Sequence, residues 1–341
     1  MDEFALFYPE GHQAHAEPGH PERPERVEAI RKAFETAGIW ESAALLAPKP
    51  PDDFVLKAIH EPDFLEELKV AGQRGWRMDP DTYLTKQSWQ LAQNAAGGGI
   101  AVAEAVWQRE ARRGFALTRP PGHHATRDQA MGFCLLNNIA LAAQHLIQHA
   151  GAQRLAIIDI DVHHGNGTQD IFWRRGDVFY FSTHQYPLYP GTGQVDEIGT
   201  GAGEGATANV PLPPFSGDTA LQTAVDTIFV PLLDRFQPQM LLISVGFDAH
   251  WRDPLAQLLL STNGYALIVK TLADWSDANC EGQIALFLEG GYDIEAGALS
   301  AAAVTKALLG QPWEDPLGPS TTAEEDFWEP VIARAREIWG L

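Results

Sequence analysis

The chain has 341 residues, 45% of them hydrophobic, and is long enough to bury a substantial core as one large domain or two small ones. Its net charge of -21, from 24 Lys and Arg against 45 Asp and Glu, argues against a nucleic-acid groove and is compatible with cationic substrates or with an acidic surface. Two cysteines exclude a disulfide framework, no apolar run approaches the ~20 residues of a membrane-spanning helix, and the first residues lack a secretory signal, so we expect a cytoplasmic protein.

Apolar runs and helical periodicity alternate along the chain. Residues 26–38 and 96–110 have the periodicity of helices, residues 114–120 resemble a strand, and residues 137–151 are helical again. Four further apolar runs of strand length follow, separated by helical or loop segments: 154–161, 178–184, 239–248 and 284–293. This order predicts an α/β fold in three layers, with a mainly parallel sheet flanked by helices.

Two segments outside these runs are also informative. Residues 189–218 are rich in Gly and Pro and predict a long loop, which in a compact domain is usually functional or well packed. The last residues, about 321–341, predict a helix that caps the domain and carries no visible chemistry. Because the chain has neither an internal repeat nor a linker-like stretch, we predict a single domain over residues 1–341.

In the stretch IIDIDVHHGNG, residues 157–167, a buried strand ends in a polar cluster. In an extended backbone Asp159, Asp161 and His163 are two residues apart and point to one side, while the apolar residues between them pack on the other. Any one of these residues alone is better interpreted as a satisfied core side chain or a helix cap. Two buried carboxylates require a compensating cation, because burial without one would raise their pKa values or unfold the protein.

Other strand ends carry matching polar residues. His123 and His124 follow the strand at 114–120, and Asp248 and Tyr292 lie at the ends of the last two apolar runs. Ligands bind at the carboxyl ends of the strands in open parallel sheets. We therefore expect all these clusters at the same end of the sheet.

The combined cluster has the composition of a metal site. Oxygen and imidazole ligands without cysteine suit zinc or another borderline divalent ion. Asp161, His163 and Asp248 would supply three protein ligands and leave the fourth position open. An open position is typical of a catalytic metal ion.

The segments RPPGHHA, GFCLLNN, DIDVHHGNGTQ, YPGTG, GFDAHWRDPL and LEGGYD follow GHPERPERVEAI and IHEPDFLEEL and extend over nearly the whole chain. In order and spacing they resemble the zinc-dependent histone deacetylase and acetylpolyamine amidohydrolase family, within the arginase and deacetylase superfamily. The pattern is similar to that of class II-like bacterial deacetylases. The resemblance implies one α/β domain that hydrolyses the amide of an acylated amine with one zinc ion per chain.

The resemblance also implies a role for each polar residue of the cluster. Zinc, held by the three ligands named above, would act as Lewis acid and activate water. His124 would be the general base and then acid, oriented by Asn166, and His123 its electrostatic partner, oriented by Asp159. Asn166 stands where many members have a second Asp, as in class II deacetylases. Tyr292 would donate to the oxyanion, which implies competence for acetyl groups. Taken alone, a His-His pair or a buried Tyr would more often be structural.

The substrate contacts implied by the resemblance form a narrow tunnel. Phe133 and Tyr189 match its aromatic walls, and Gly132 would offer a carbonyl to the scissile amide N–H. Tyr189 replaces the more usual Phe, which leaves the selectivity of the tunnel open. Leu255 occupies a rim position where polyamine-selective relatives carry Glu, and this departure favours acyl-lysine over polyamine.

Two further sites are implied by the same family. A potassium ion could be held around Asp159, Asp161, His163 and Ser182. Arg26 resembles the residue that lines an inner channel for the released acid. The alternative for Arg26 is a surface ion pair with a nearby Glu.

The leading hypothesis is a zinc-dependent deacetylase that acts on an acyl-lysine side chain or a related acylated primary amine. An acetylpolyamine amidohydrolase is the alternative in substrate class. A binuclear manganese hydrolase of the arginase type would need further bridging carboxylates. A non-catalytic acyl-amine binding protein would not require the full set of imidazoles, ligands and Tyr292. We expect neither a nucleic-acid nor a membrane partner.

Overall fold

Eight strands form one sheet through the centre of the molecule. The computed structural model describes residues 2–341, and its strands are β1 (Asp2–Phe7), β2 (Ala44–Leu45), β3 (Ala111–Ala116), β4 (Leu155–Asp159), β5 (Val178–Gln185), β6 (Thr207–Leu212), β7 (Leu241–Val245) and β8 (Ile284–Leu288). Their order is β2-β1-β3-β8-β7-β4-β5-β6, and every neighbouring pair is parallel. All carboxyl ends therefore lie at one edge of the sheet.

Helices connect the strands and cover both faces of the sheet. They are α1 (Glu25–Thr36), α2 (Ile39–Ser42), α3 (Asp53–Ile59), α4 (Pro62–Arg74), α5 (Ser88–Trp107), α6 (Asn138–His149), α7 (Asn166–Phe172), α8 (Asp218–Ala224), α9 (Val230–Phe236), α10 (Thr262–Asn279), α11 (Ile294–Leu308) and α12 (Glu329–Trp339). Within residues 2–341, none of the helices combines the length and the apolar character that crossing a bilayer requires.

The central strands are apolar on both faces because each face contributes to a separate core. On β8, Leu286 and Leu288 enter the core beneath α1, α10 and α11, whereas Ala285 and Phe287 enter the core beneath α5 and α6. Strands buried on both faces have nearly continuous apolar sequences, which explains the short apolar runs of the sequence. The predicted α/β fold with a helix-flanked parallel sheet is confirmed.

Two helix caps fix the chain next to the functional edge. The side chain of Asp293 accepts a hydrogen bond from Ala296 N and begins α11 directly after Tyr292. The side chain of Asn137 accepts from Ala140 N at the start of α6, and its Nδ2 also donates to Ala125 O at 3.1 Å. Both caps satisfy free N–H groups of a first helical turn and so define where the preceding loops end.

The structure differs from the sequence-based elements in three places. The apolar runs predict no strand at the N-terminus, where β1 lies, and the Gly- and Pro-rich composition predicts a loop over residues 189–218, which contain β6. Strand β6 includes Asn209 and Pro211, both disfavoured in strands, and its pairing with β5 at the sheet edge decides its conformation. Helix α12 begins at Glu329, later than the predicted boundary near residue 321.

Candidate active site

Four adjacent strands carry the candidate site at their carboxyl ends. Strands β3, β8, β7 and β4 are neighbours in the centre of the sheet, although they are far apart in sequence. The segments that follow them carry, in this order across the sheet, His123 with His124, Tyr292, Asp248, and Asp161 with His163.

Three side chains form a group that fits a divalent metal ion. Asp161, His163 and Asp248 each offer one ligand atom, and these atoms lie within 4.8 Å of one another. Nδ1 of His163 lies 3.1 Å from Asp161 Oδ1 and 3.3 Å from Asp248 Oδ2. Among residues 2–341, no donor forms a well-directed hydrogen bond to the buried Asp248 Oδ2, although the ring of His163 lies close to it. Two buried carboxylates and an imidazole provide a donor set that zinc can bind, and a bound cation would satisfy the oxygen that lacks a hydrogen bond.

Backbone amides hold the two carboxylates of this group in place. Asp161 Oδ1 accepts from His163 N at 2.8 Å, and its Oδ2 accepts from Gly290 N at 2.8 Å. Asp248 Oδ1 accepts from Val162 N at 3.1 Å. A Cβ atom at Gly290 would overlap Asp248 Oδ2, so only glycine lets the segment after β8 approach the two carboxylates.

The chain after β4 does not keep the extended backbone that the sequence analysis expected up to His163. The strand ends at Asp159, and the following residues bend, with Asp161 N donating to Asp159 Oδ1 at 3.1 Å. The apolar residues at positions 158, 160 and 162 nevertheless remain together in one core. The bend turns the polar side chains toward the functional edge while the apolar side stays packed.

The two adjacent histidines have different partners. His123 Nδ1 lies 3.0 Å from Asp159 Oδ2, and His124 Nδ1 lies 2.7 Å from Asn166 Oδ1. Both imidazoles are buried, with ring centroids 4.0 Å apart. Burial lowers the pKa of His124 well below its usual value, and the neighbouring His123 lowers it further. Burial acts in the same direction on His123, but the charges of Asp159 and Asp161 outweigh it and raise its pKa to about 10.

Tyr292 lies between the aromatic tunnel wall and a buried arginine. Its ring packs edge-on against Phe133 at a centroid distance of 5.8 Å, and Cζ of Arg26 lies 5.0 Å from its centroid. Tyr292 N donates to Asp253 Oδ2 at 2.6 Å. Burial raises the pKa of the Tyr292 phenol well above 10, so the group stays protonated and can donate a hydrogen bond.

Arg26 is buried, which corrects the alternative of a surface ion pair. Its guanidinium pairs with Glu22 at 3.1 Å and donates to Gly291 O at 2.6 Å and Glu289 O at 2.5 Å. The cavity beside it measures about 10 Å³. That volume holds about one water molecule.

A cavity of about 220 Å³ leads to the histidine and metal-ligand groups. Its mouth includes Tyr189 and Leu255, which are 42% and 37% exposed, whereas His124 and Tyr292 at its inner end are buried. All four predicted substrate-contact residues line it, and the full set is Asp81, His124, Gly132, Phe133, His163, Leu188, Tyr189, Leu255 and Tyr292.

The backbone of the inner wall is specialised at two neighbouring residues. Gly132 has φ +54°, and a Cβ atom there would lie 2.5 Å from His124 Cδ2. Phe133 has φ +69°, an uncommon value for a residue with a side chain, and its N–H donates to Thr82 Oγ1 at 3.1 Å. These contacts hold the Phe133 ring in the cavity wall, where it meets Tyr292.

Sequence reasoning did not identify three acidic residues around the site. Asp81 lines the exposed mouth of the cavity. Asp253 is buried and accepts from the backbone of Leu255 and Tyr292, at 3.0 and 2.6 Å. Glu289 is buried at the end of β8. The sequence did contain a signal for the two buried residues. Asp253 lies in the segment GFDAHWRDPL with Asp248, and Glu289 lies in the segment LEGGYD with Tyr292.

The residues predicted for a potassium ion lie on β4, on the neighbouring strand β5 and in the bend after β4. Asp159 and Ser182 are register partners between β4 and β5, and Ser182 Oγ lies 2.9 Å from His184 Nδ1. Asp161 and His163 follow in the bend described above.

A second group that could hold a metal consists of His123, Cys134 and Glu289.

Comparisons with known proteins agree on one family. A family profile described as "Histone deacetylase domain" matches residues 20–308. The chain is 41% identical to a "Probable deacetylase" of Archaeoglobus fulgidus over 297 residues, which cover 86% of this chain and 82% of the relative. It is 36% identical to the "Histone deacetylase-like amidohydrolase" of Pseudomonas aeruginosa over 300 residues, or 87% and 79% of the two chains. The crystal structure of the HDA15 HD domain matches with a TM-score of 0.90 at 35% identity, covering 98% of this chain and 95% of that one.

Proposed function

The chain belongs to the histone deacetylase family and is a deacetylase of the amidohydrolase type, and from this premise we propose that it hydrolyses acyl-lysine side chains with one zinc ion per chain. The observation that carries the proposal is that His124, His163 and Tyr292 line the inner end of one cavity, and that Asp161 and Asp248 form one group with His163.

In this proposal Asp161, His163 and Asp248 hold the zinc ion. When bound, zinc supplies Lewis acidity, which polarises the amide carbonyl and makes a water molecule a stronger nucleophile. The buried Asp248 Oδ2, which accepts no well-directed hydrogen bond from residues 2–341, supports this assignment. One metal ion per chain separates the proposal from a binuclear hydrolase of the arginase type.

His124 is proposed as the group that takes a proton from the attacking water and returns it to the departing amine. Its lowered pKa keeps the ring neutral. Because Nδ1 faces the Asn166 side-chain oxygen, Nδ1 carries the ring proton and Nε2 is free to accept another. His123, beside Asp159, is proposed as its electrostatic partner. A cation next to the reacting carbonyl stabilises the negative charge that develops there.

Tyr292 is proposed as the oxyanion donor and Gly132 as the acceptor for the substrate amide N–H. The phenol is protonated and adjoins Phe133, and Gly132 lies against the His124 ring. Phe133 and Tyr189 form apolar walls that suit a slim alkyl linker. The substrate therefore enters as an extended chain with its acyl group innermost.

Leu255 and Asp81 favour different substrates at the mouth of the cavity. Leu255 is apolar, whereas an enzyme selective for polyamines would be expected to carry a carboxylate at this position, so Leu255 supports an acyl-lysine substrate. Asp81 and the net charge of -21 favour a cationic substrate, so an acetylated polyamine is the second candidate.

The discriminating experiment compares kcat/KM for an acetyl-lysine peptide, an acetylated polyamine and a longer acyl-lysine. We expect the acetyl-lysine peptide to be at least tenfold better than the polyamine. In the matched variant Leu255→Glu the ratio should shift toward the polyamine by roughly tenfold, about 1.4 kcal/mol. A polyamine preference in the wild-type enzyme would select the second candidate. Zero turnover with zinc bound would instead indicate an acyl-amine binding protein.

We further propose that residues 1–341 act as one catalytic domain, and that potassium binds around Asp159, Asp161, His163 and Ser182. The register pair formed by Asp159 and Ser182 supports the second proposal. Arg26 is proposed to line the exit for the released acid from its position at the small inner cavity. Activity titrated with potassium against sodium at constant ionic strength tests the cation site.

A further inference from the structure

Glu289 is a buried carboxylate that the proposed mechanism does not use. It follows β8, on which Phe287 faces the core beneath α5 and α6. Side chains alternate along a strand, so Glu289 continues on the Phe287 side and enters the protein interior. A carboxylate in such a place is costly unless hydrogen bonds satisfy it.

The partners of Glu289 belong to the loop that carries the two histidines. Its Oε2 accepts from Gly122 N at 2.7 Å and from His123 N at 3.2 Å. Its Oε1 accepts from Ser244 Oγ on β7 at 3.1 Å. The carboxylate thus joins the segment after β3 to the ends of β7 and β8.

His123 is held at three separate points. Asp159 binds its ring, Glu289 binds its N–H, and its carbonyl accepts from Thr168 N at 3.1 Å. Without Glu289, the N–H groups of Gly122 and His123 would be buried and unpaired, and the backbone before His124 would lose its anchor. Small displacements of a positioned acid–base group are costly for catalysis.

The backbone of Glu289 also helps to fix the segment that carries Tyr292. Arg26 donates to its carbonyl, and Glu289 N donates to Val245 O at 3.0 Å. Tyr292 follows only three residues later. Glu289 therefore links the backbone that carries His123 and His124 to the backbone that carries Tyr292.

We infer that Glu289 is a positioning residue, which holds the Gly122–His123 backbone so that the imidazole pair faces the reacting amide. This inference rests on the proposed function of the same site. Glu289 fills this role by accepting hydrogen bonds from the two N–H groups, and its negative charge matters less. Burial raises the pKa of Glu289 to about 7, although the charge of His123 opposes the shift, so a neutral amide is a close substitute near neutral pH.

The test compares three variants of the zinc-loaded enzyme. Glu289→Gln keeps an oxygen for Gly122 and His123, and its NH₂ can donate to Ser244, so kcat should stay within about threefold of wild type. Glu289→Met removes both acceptor oxygens and should lower kcat on an acetyl-lysine peptide by at least ~10²-fold, with KM within about threefold. Ser244→Ala removes only the contact on the far side of the carboxylate and should leave kcat within about threefold.

A second substrate separates positioning from general damage. The leaving group of 4-nitrophenyl acetate needs no proton from a general acid, so this ester depends on His124 only as a base, whereas the amide depends on it as base and as acid. The loss caused by Glu289→Met should therefore be at least tenfold smaller on the ester than on the amide. An equal loss on both substrates would overturn the inference, as would a zinc-loaded Glu289→Met enzyme with amide kcat within threefold of wild type. An inactive Glu289→Gln enzyme would also overturn it.

Should Glu289→Met fail to fold, Glu289→Asp takes its place. Its carboxylate keeps the charge but is one methylene too short to reach both N–H groups. We expect at least a tenfold loss on the amide, again larger than on the ester, and full amide activity would overturn the inference. If the wild-type enzyme itself has no turnover on any acylated amine, the proposed function fails first, and this is distinct from every outcome of the variants.

Discussion

At the scale of single residues, the site assigns different protonation states to two adjacent histidines. The atom that faces each Nδ1 makes the difference, since His123 meets the carboxylate of Asp159 and His124 meets the amide of Asn166. A carboxylate stabilises an imidazolium, whereas an amide oxygen fixes the tautomer without supplying charge. Two identical side chains can therefore take a cationic and a basic role side by side.

Replacing His124 tests its role as general base and acid. His124→Ala should lower kcat by at least ~10²-fold, because it removes the proposed general base and acid. Zinc content per chain, measured by metal analysis, should stay near the wild-type value. Loss of zinc in this variant would identify His124 as a ligand and contradict the assignment.

Replacing Tyr292 tests the oxyanion donor. Tyr292→Phe keeps the ring against Phe133 and removes only the hydroxyl, so kcat should fall roughly 10²–10³-fold while KM changes little. Tyr83→Phe is the matched control, because this buried hydroxyl reaches only the carbonyls of His15 and Glu22. The assignment fails if Tyr292→Phe retains more than about a tenth of wild-type kcat, a difference under ~1.4 kcal/mol.

At the scale of elements, the segment between β3 and α6 depends on anchors outside it. His60, at the C-terminal end of α3, lies with Nδ1 2.8 Å from Thr126 O and accepts from Asn137 N through Nε2 at 3.0 Å. These bonds require a neutral ring with its proton on Nδ1. The segment that carries His123 and His124 is thus tied to α3 by a group that cannot be protonated without losing a bond.

This anchor predicts a pH-dependent stability. Burial lowers the pKa of His60 to about 4 from its ordinary 6.5, so the unfolded chain binds more protons between these values. Its contribution is complete above pH 6.5 and is lost as pH falls toward 4. Relative to His60→Gln, which can keep both hydrogen bonds, the wild-type protein should lose about 2 kcal/mol of unfolding free energy by pH 5. Urea unfolding at pH 7, 6 and 5 measures the difference, and a constant difference would contradict the prediction.

At the scale of the whole molecule, we expect metal binding at Asp161, His163 and Asp248 to be coupled to the stability of the fold. Four loops from four strands supply the site, and two buried carboxylates repel each other at its centre. A cation that binds only the folded arrangement must stabilise it by mass action. Activity and stability should therefore respond together to metal removal.

Dialysis against a strong chelator tests this link. Hydrolysis should be abolished and then restored by zinc, with one ion per chain by metal analysis. A free zinc concentration 100 times the dissociation constant stabilises the fold by ~2.7 kcal/mol, so Tm should fall by roughly 5 °C on removal. Magnesium serves as the control and should restore neither property. Full activity in the metal-free protein, or two ions per chain, would contradict the proposed mechanism.

The sequence by itself determined the class of fold, the family and the residue types of the site. Buried strands such as residues 154–161 have continuous apolar runs because both faces are covered, and this is a local property of the chain. The dipeptide His123-His124 lies within one loop, and the alternation from Asp159 to His163 lies at the end of β4 and in the bend that follows it. Short-range patterns of this kind can be read without knowing which strands are neighbours.

The tertiary structure decided which strands are neighbours and how closely the site residues meet. The order β3, β8, β7, β4 is set by hydrogen bonds between strands distant in sequence, and it brings the histidines, Tyr292, Asp248 and Asp161 to one edge. It also buries Arg26 and gives Glu289 its partners in the β3 loop. Strand β6 exists because β5 pairs with it, against its own composition. Burial and long-range pairing depend on the whole chain, so no local pattern records them.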